Sequence, residues 1–295
     1  MIKSIGHIKE KLKLKDIIKS NAIGHAYLFV GRKSIGKKLI ATEFAKAILC
    51  DNNIDGEACE ECTVCKKIEN NSDFKIISPE KDVIKVDMIR DLSKEIFLLP
   101  TIAKRKVFII DDADCMNEQA QNALLKILEE PPEYATIILI VSNKEKLLNT
   151  IKSRVVQFKF GNLSKNEIEK IIGETVSEDA YNFSNGSIEK IIEFSNDEYF
   201  SIAKDISNLL LERDFLKINR KFEEIKADKT MKANIADILE KVLYIYHGKL
   251  KSNPKFDISF IENVSQTLQN LKKNANVDIA LDMLTISVCR LWGVK

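Results

Sequence analysis

The chain has 295 residues, 45% hydrophobic and 31% charged, which excludes a disordered protein and allows two or three folded domains. Its 46 basic and 44 acidic residues nearly cancel, so overall charge does not favour nucleic acid, and any DNA contact must be local or shared with partners. Six cysteines, four of them clustered, without a signal-peptide pattern or an apolar run long enough to span a membrane, predict a cytoplasmic protein.

Residues 1–161 alternate short apolar runs with amphipathic stretches, which predicts an α/β domain with a parallel sheet flanked by helices. The first predicted strand covers 26–30, and a predicted helix over 37–50 follows a glycine-containing turn. The apolar runs 107–110 and 136–142 predict two more strands, each followed by polar residues. Ligands of parallel sheets gather at the carboxyl ends of strands, so we expect a site there.

The remaining patterns are helical. Residues 117–130 have helical periodicity, and two prolines stop the helix at 131. Ser164 and Glu167 have the spacing of a capping box, which predicts a helix start. Short helical segments over 162–203 predict a small helical domain, and long amphipathic stretches over 204–295 predict a third, all-helical domain.

Residues 31–38 have the pattern of a phosphate loop between the first strand and its helix. Gly31 and Gly36 allow the backbone to curl around phosphate, and Lys37 supplies a positive charge. Lys38 stands where a hydroxyl normally binds Mg²⁺, and an ammonium cannot coordinate a cation. Nucleotide binding without efficient hydrolysis and an empty loop both stay open, so ATP and Mg²⁺ are doubtful cofactors.

The strand ends carry three further candidate nucleotide-binding residues. Asp111 is placed to hold Mg²⁺ through a water, and Asp112 stands where a glutamate would orient the attacking water. Its carboxylate is one methylene shorter, and a misplacement of about 1 Å can cost on the order of 10² in rate. Solvation of a strand end is the competing interpretation. Ser142, after the third strand, could hydrogen-bond a phosphate, although a simple strand-terminal hydroxyl is the plainer interpretation.

Four cysteines follow the first helix with eight, two and two residues between them. They are Cys50, Cys59, Cys62 and Cys65. This spacing is typical of a structural zinc site, in which four thiolates fill a tetrahedron and leave no position for substrate. Disulfides are disfavoured in a reducing compartment, and an iron–sulfur cluster is not excluded by the spacing. Cys115 and Cys289 are isolated, and we expect them to be ordinary packed thiols.

These motifs together resemble the bacterial replication clamp loader of the AAA+ family. The resemblance rests on residues 24–29, the phosphate loop, the cysteines, residues 120–132 and the pair Ser153-Arg154. Within the family the chain is similar to the delta-prime subunits of DNA polymerase III. The choice over the gamma/tau motor subunits rests on Lys38, on Asp112, and on Glu189 where the motor has a sensor arginine.

The resemblance implies an architecture. It gives an AAA+ base domain over 1–161 with a zinc module at 50–65, a helical lid over 162–203, and a helical collar over 204–295 that joins five subunits in a ring. It also implies gamma/tau and delta subunits as partners, with primed DNA and the sliding clamp reached through the assembled complex, and no membrane contact.

The resemblance also implies a role for Arg154. The family motif is Ser-Arg-Cys, here Ser153-Arg154-Val155, and its arginine reaches the ATP of a neighbouring subunit. We therefore expect a stator-like subunit that lends Arg154 in trans and has little or no ATPase activity of its own. Two alternatives stay open: an active gamma/tau-like ATPase that uses Lys37, Asp111 and Asp112 itself, and a free-standing zinc-dependent nucleic-acid binder.

Overall fold

The computed structural model describes residues 4–184, 186–195, 198–250 and 258–293. The chain divides into two compact units, Met1–Glu174 and Thr175–Lys295. The predicted division into three domains at 161 and 203 stays a prediction, since the boundary between the two units falls inside the predicted second domain.

The first unit is built on a five-stranded parallel sheet. Its strands are β1 (Ala26–Val30), β2 (Phe74–Ile77), β3 (Lys106–Ile110), β4 (Ala135–Val141) and β5 (Val156–Lys159). The strand order is β2-β3-β4-β1-β5, and every neighbouring pair is parallel. Every residue of β3 and β4 is buried, which requires cover on both faces of the sheet. The predicted α/β class with a parallel sheet flanked by helices is confirmed, in the AAA+-like form that the resemblance implies.

Seven α-helices lie in the described part of the first unit. They are α1 (Ile8–Lys19), α2 (Lys37–Leu49), α3 (Thr63–Lys66), α4 (Val86–Ile96), α5 (Glu118–Glu129), α6 (Asn149–Lys152) and α7 (Lys165–Ile172). The starts of two of them follow from the sequence. The Asn117 side chain accepts the Ala120 N–H at 2.8 Å to cap α5, and the predicted capping box of Ser164 and Glu167 opens α7.

Helices α4 and α5 pack on the sheet and form its main hydrophobic core. Fully buried members include Ile89, Leu92 and Ile96 of α4, Leu124 and Ile127 of α5, and Phe108, Ile110, Ile137 and Leu139 of the sheet. Burying each such side chain contributes roughly 1.5–3 kcal/mol. This core packs against β3 and β4, whose carboxyl ends carry the candidate site.

The second unit is helical throughout the part that the structure describes. Its helices are α8 (Glu178–Ser184), α9 (Ile188–Ser195), α10 (Glu198–Glu212), α11 (Phe215–Ala227), α12 (Lys229–Ala233), α13 (Ile235–Leu250), α14 (Ile258–Lys272) and α15 (Val277–Trp292). The core of this unit contains Phe222, Leu239, Val242 and Val264. Across the described ranges of both units, no helix combines the length and apolarity needed to cross a membrane.

Helix α15 is apolar on two faces. Leu281, Leu284 and Val288 are buried in the core of the second unit. A second apolar set points away from it, since Ile279 and Met283 are 60% and 62% exposed, and Ile286 is also exposed. A helix that needed only to cover its own core would place polar residues on that side.

A buried aspartate ties the edge of the sheet together. The Asp73 side chain, just before β2, accepts the backbone N–H groups of Thr101, Ile102 and Ala103 at 2.7–3.1 Å. Burial of the carboxylate raises its pKa, but these bonds and the charge of Lys106 outweigh burial, so the pKa of Asp73 lies below its usual value.

We predict that Asp73→Asn lowers the free energy of unfolding by about 1–3 kcal/mol at neutral pH, because the introduced amide group would turn its own N–H donors toward backbone donors. A depressed carboxyl pKa stabilises the folded state above the unfolded pKa, near 3.8, and that stability is lost as pH falls through the folded value. Urea unfolding at neutral and acid pH measures both effects. An equal loss at both pH values would contradict the ionised Asp73 account.

Candidate phosphate loop, metal centre and edge arginine

The segment 31–36 joins β1 to α2 as the sequence predicts. Gly36 has φ +95°, in the left-handed region that favours glycine, and opens α2. A Cβ on Gly31 would lie 2.7 Å from the carbonyl oxygen of Phe160, so only glycine fits there. Ser34 also has a positive φ, of +58°. The strand, turn and helix of a phosphate loop are therefore all present.

Lys37 is buried and turned onto the loop itself. Its Nζ donates to the carbonyl oxygen of Gly31 at 2.6 Å and also to that of Arg32. Burial lowers the pKa of Lys37 to about 8, against the opposing charges of Asp112 and Asp111. The ammonium is still mostly protonated at neutral pH and is available to a phosphate that replaces the two carbonyls.

The carboxylates after β3 are paired with lysines of the loop. Lys38 Nζ lies 3.0 Å from Asp111 Oδ2, and Lys33 Nζ lies 3.2 Å from Asp112 Oδ2. The pair with Asp112 raises the pKa of Lys33. Two ion pairs therefore join the phosphate loop to the end of β3, and Asp112 would have to leave Lys33 to orient a water.

Mg²⁺ does not fit these residues. A cation held by Asp111, directly or through a water, would lie near the Lys38 ammonium, which already pairs with that carboxylate. Two unit charges 4 Å apart interact by about 4 kcal/mol near a protein surface, and a divalent cation doubles that repulsion. The chain also has no hydroxyl at position 38 to replace the missing ligand.

Asp114 and Ser142 meet at the end of β4. The Asp114 carboxylate accepts the backbone N–H of Ser142 at 3.4 Å and that of Asn143 at 3.0 Å. Asp114 therefore holds the end of β4 in place, a structural role that the sequence pattern did not distinguish. The Oγ of Ser142 is buried without a hydrogen-bond partner among the described residues. β4 pairs directly with β1, which places Ser142 beside the start of the loop.

The four clustered cysteines converge as predicted. Their Sγ atoms all lie within 4.8 Å of one another, and those of Cys50 and Cys62 are 4.0 Å apart. A tetrahedral zinc site with bonds of about 2.3 Å has sulfur separations of about 3.8 Å, so small shifts complete it. Each sulfur of Cys50, Cys59 and Cys62 also accepts a backbone N–H at 3.3–3.4 Å. The donor set fits Zn²⁺, which these four residues would hold and which would cross-link the loop.

The cysteine module is tied to α1. Lys19 Nζ lies 2.5 Å from an Asp55 carboxylate oxygen, and Lys15 pairs with Glu57. Cys115 lies outside the sulfur cluster, after β3, and is partly buried. Burial raises the pKa of its thiol. Cys115 is therefore a suitable control for the metal ligands.

Arg154 lies at the amino ends of the parallel strands, whereas the phosphate loop lies at their carboxyl ends. It precedes β5, and its carbonyl oxygen lies 3.1 Å from Nε2 of His25, the residue before β1. The phosphate loop begins six residues after His25, at the other end of β1. A strand rises about 3.3 Å per residue, so about 20 Å separates the two positions, more than an arginine side chain spans.

The Arg154 guanidinium is held by local contacts. Nη2 lies 3.0 Å from Glu129 Oε1 at the end of α5, and Nη1 donates to the carbonyl oxygen of Thr150 at 3.0 Å. Its side chain is 36% exposed. The Gln121 side chain supports this corner, since it accepts the Leu148 N–H and donates to the Lys146 carbonyl just before α6. Sequence reasoning used Gln121 only as part of a motif and missed this positioning role.

The predicted nucleotide residues thus fall into one cluster, while Arg154 and the cysteines lie at separate places in the first unit. Glu189 lies in the first turn of α9, in the second unit. A parallel sheet with a phosphate-loop turn after β1 and carboxylates after β3 is the arrangement of a P-loop protein. The family model described as DNA polymerase III, delta subunit, matches residues 7–164. This is more than half of the chain, and the chain belongs to that family.

Relatives of two kinds are similar to the chain. A DNA polymerase III subunit gamma from Buchnera aphidicola is 31% identical over 207 residues, which cover 69% of this chain and 56% of that protein. A subunit delta' from Pseudomonas aeruginosa is 39% identical over 137 residues, covering 45% and 42%. A subunit delta' from Bacillus subtilis is 35% identical over 195 residues, covering 63% and 58%. The chain spans about half the length of the curated relatives it matches.

We predict close to one zinc per chain in purified protein by elemental analysis, and its loss in Cys62→Ser, because three thiolates bind zinc much more weakly than four. The variant should also unfold at a lower temperature. Cys115→Ser is the matched control and should keep the metal. Iron in place of zinc, or equal zinc in Cys62→Ser, would contradict the assignment.

Proposed function

We propose that this chain is a delta-prime-type subunit of the DNA polymerase III clamp loader that serves a neighbouring ATPase site rather than its own. The observation that carries the proposal is the position of Arg154. It is a partly exposed cation at the amino ends of the strands, about 20 Å from the chain's own phosphate loop, so it cannot reach a nucleotide bound there. A nucleotide on an adjacent subunit is the ligand that this position favours.

The state of the chain's own loop supports the same proposal. Asp111 and Asp112 are paired with Lys38 and Lys33, so each carboxylate would have to leave its lysine to hold a metal or to orient the attacking water. Catalysis of phosphoryl transfer depends almost wholly on positioning and on charge stabilisation by such groups. The chain's own turnover is therefore negligible in this account.

The contacts of Arg154 suit a group that changes partners. The Glu129 carboxylate lies near the surface, and an exposed ion pair contributes only about 0–1 kcal/mol. A phosphate offers the guanidinium a stronger, bidentate partner. Arg154 would exchange Glu129 for the neighbour's phosphate as the subunits assemble. An arginine supplied in this way is typically worth about 10³–10⁵ in rate.

The second unit supports assembly. The exposed apolar set of α15, formed by Ile279, Met283 and Ile286, suits burial against another subunit. We assign the helices after residue 203 to the collar that joins this chain to gamma/tau and delta subunits, and residues 162–203 to the lid. Contact with primed DNA and the sliding clamp would occur through the assembled complex, in the cytoplasm.

The second candidate is an active gamma/tau-like ATPase, favoured by the 31% identity to a gamma subunit. It requires a nucleotide site that works in cis. The two functions differ in where Arg154 matters. In a delta-prime-type subunit, Arg154 acts on the ATP of another subunit. In a gamma/tau-like ATPase, the isolated chain hydrolyses ATP with its own Lys37.

We predict that Arg154→Ala lowers the DNA-stimulated ATPase rate of the reconstituted complex by at least about tenfold, because the neighbour's transition state loses a positive charge. Assembly, followed by size-exclusion chromatography, should be unchanged, since the replaced contacts are local and exposed. Steady-state ATP hydrolysis by the complete complex is the measurement.

Lys152→Ala is the matched control, because Lys152 is a basic residue of the same short segment that pairs with Glu145 at 3.3 Å. It should leave the rate unchanged. Glu129→Ala removes the partner of Arg154 in the chain itself and should not reproduce the loss. A normal rate with Arg154→Ala, or an equal loss with Lys152→Ala, would remove the finger assignment.

A further inference from the structure

The phosphate loop has an unusual concentration of cations. All four charged residues of segment 31–38 are basic: Arg32, Lys33, Lys37 and Lys38. The side chains of Lys33 and Lys38 are 61% and 52% exposed, so a dissolved anion can reach them. The amino end of the 13-residue helix α2 adds the positive end of a helix dipole. These features favour a ligand with several negative charges.

The place of the metal is filled by a side chain. Lys38 Nζ lies 3.0 Å from Asp111 Oδ2, so the chain's own ammonium neutralises the carboxylate that would hold Mg²⁺ in a working loop. Unlike a free ion, this cation is attached to the backbone directly after Lys37 and stays at the site at any concentration of divalent metal. A second cation at the same carboxylate is repelled.

A buried hydroxyl points to a ligand at the same place. The Ser142 Oγ has no hydrogen-bond partner among the described residues, and a buried polar atom in that condition destabilises the fold. It follows β4, and the N–H of Gly31 donates to the carbonyl oxygen of Val141 at 3.1 Å, so Ser142 adjoins the start of the loop. A phosphate oxygen would satisfy this hydroxyl.

We propose that this loop binds a polyphosphate without a metal ion, with the Lys38 ammonium in the place of Mg²⁺. The ligand is the triphosphate of a nucleotide or an inorganic polyphosphate, which share the same chemistry. On binding, Lys37 exchanges the carbonyl oxygens of Gly31 and Arg32 for phosphate oxygens. No bond is broken, since no group is left to activate water. The inference concerns the chain's own loop and does not depend on where Arg154 acts.

The test measures binding of ATP and of inorganic tripolyphosphate to the full chain by calorimetry, in excess EDTA and in millimolar Mg²⁺. We expect both ligands to bind in EDTA at least as tightly as in Mg²⁺, because the metal competes with Lys38 for the phosphate oxygens. Binding of ATP without binding of tripolyphosphate would identify a nucleotide as the source of the triphosphate. Tripolyphosphate binding as tightly would identify the phosphates as the whole recognised group.

Two variants test the role of Lys38. Lys38→Thr restores the hydroxyl of an active loop, so binding in EDTA should weaken by at least about tenfold and Mg²⁺ should now tighten it. Lys38→Arg keeps a cation and should keep metal-free binding. Unchanged thermal unfolding midpoints show that both variants fold. Absence of binding under all conditions, tighter binding by the unmodified chain in Mg²⁺, or metal-free binding by Lys38→Thr would each overturn the proposal.

Discussion

The ion pair between Lys38 and Asp111 is the interaction on which the chemistry of this molecule depends. It joins the first turn of α2 to the end of β3 at 3.0 Å, and it neutralises the carboxylate that is predicted to hold a divalent cation. Lys33 makes a parallel pair with Asp112, the residue that would have to orient water. The fold keeps the strand, turn and helix of a phosphate loop, while a lysine pairs with each of the two carboxylates that follow β3.

The charged residues at the two ends of the parallel strands are therefore arranged differently. At the carboxyl ends of the strands, charge is neutralised within the chain, and Lys37 rests on loop carbonyls. At the amino ends, Arg154 is partly exposed, with a surface carboxylate as its partner. A subunit that takes part in another subunit's reaction needs the arginine at the amino ends of the strands. It can lose the catalytic groups at the carboxyl ends. The chain is similar to relatives of both kinds, gamma and delta'.

The central strands and the site cluster were predictable from sequence, because both depend on short-range patterns. Buried strands β1, β3 and β4 are continuous apolar runs, and the spacing of the four clustered cysteines is enough to predict a metal site. β2 and β5 were not predicted, and both lie at the edges of the sheet. In β5 only Phe158 of the four residues is buried. Its pattern is mostly polar, and pairing with β1 decides the structure there. The sequence patterns also could not predict which side chains distant in sequence form ion pairs. Lys38 is identified as a substitution by the motif, but only the folded sheet brings it to Asp111, 73 positions further along the chain.

Steady-state ATP hydrolysis by the isolated chain in Mg²⁺ tests the central claim most directly. The account predicts a rate no higher than that of a Lys37→Ala variant, because Lys38 pairs with Asp111 and Lys33 pairs with Asp112, the carboxylates that would hold the metal and orient water. Brisk hydrolysis that requires Mg²⁺ and is abolished by Lys37→Ala would contradict it.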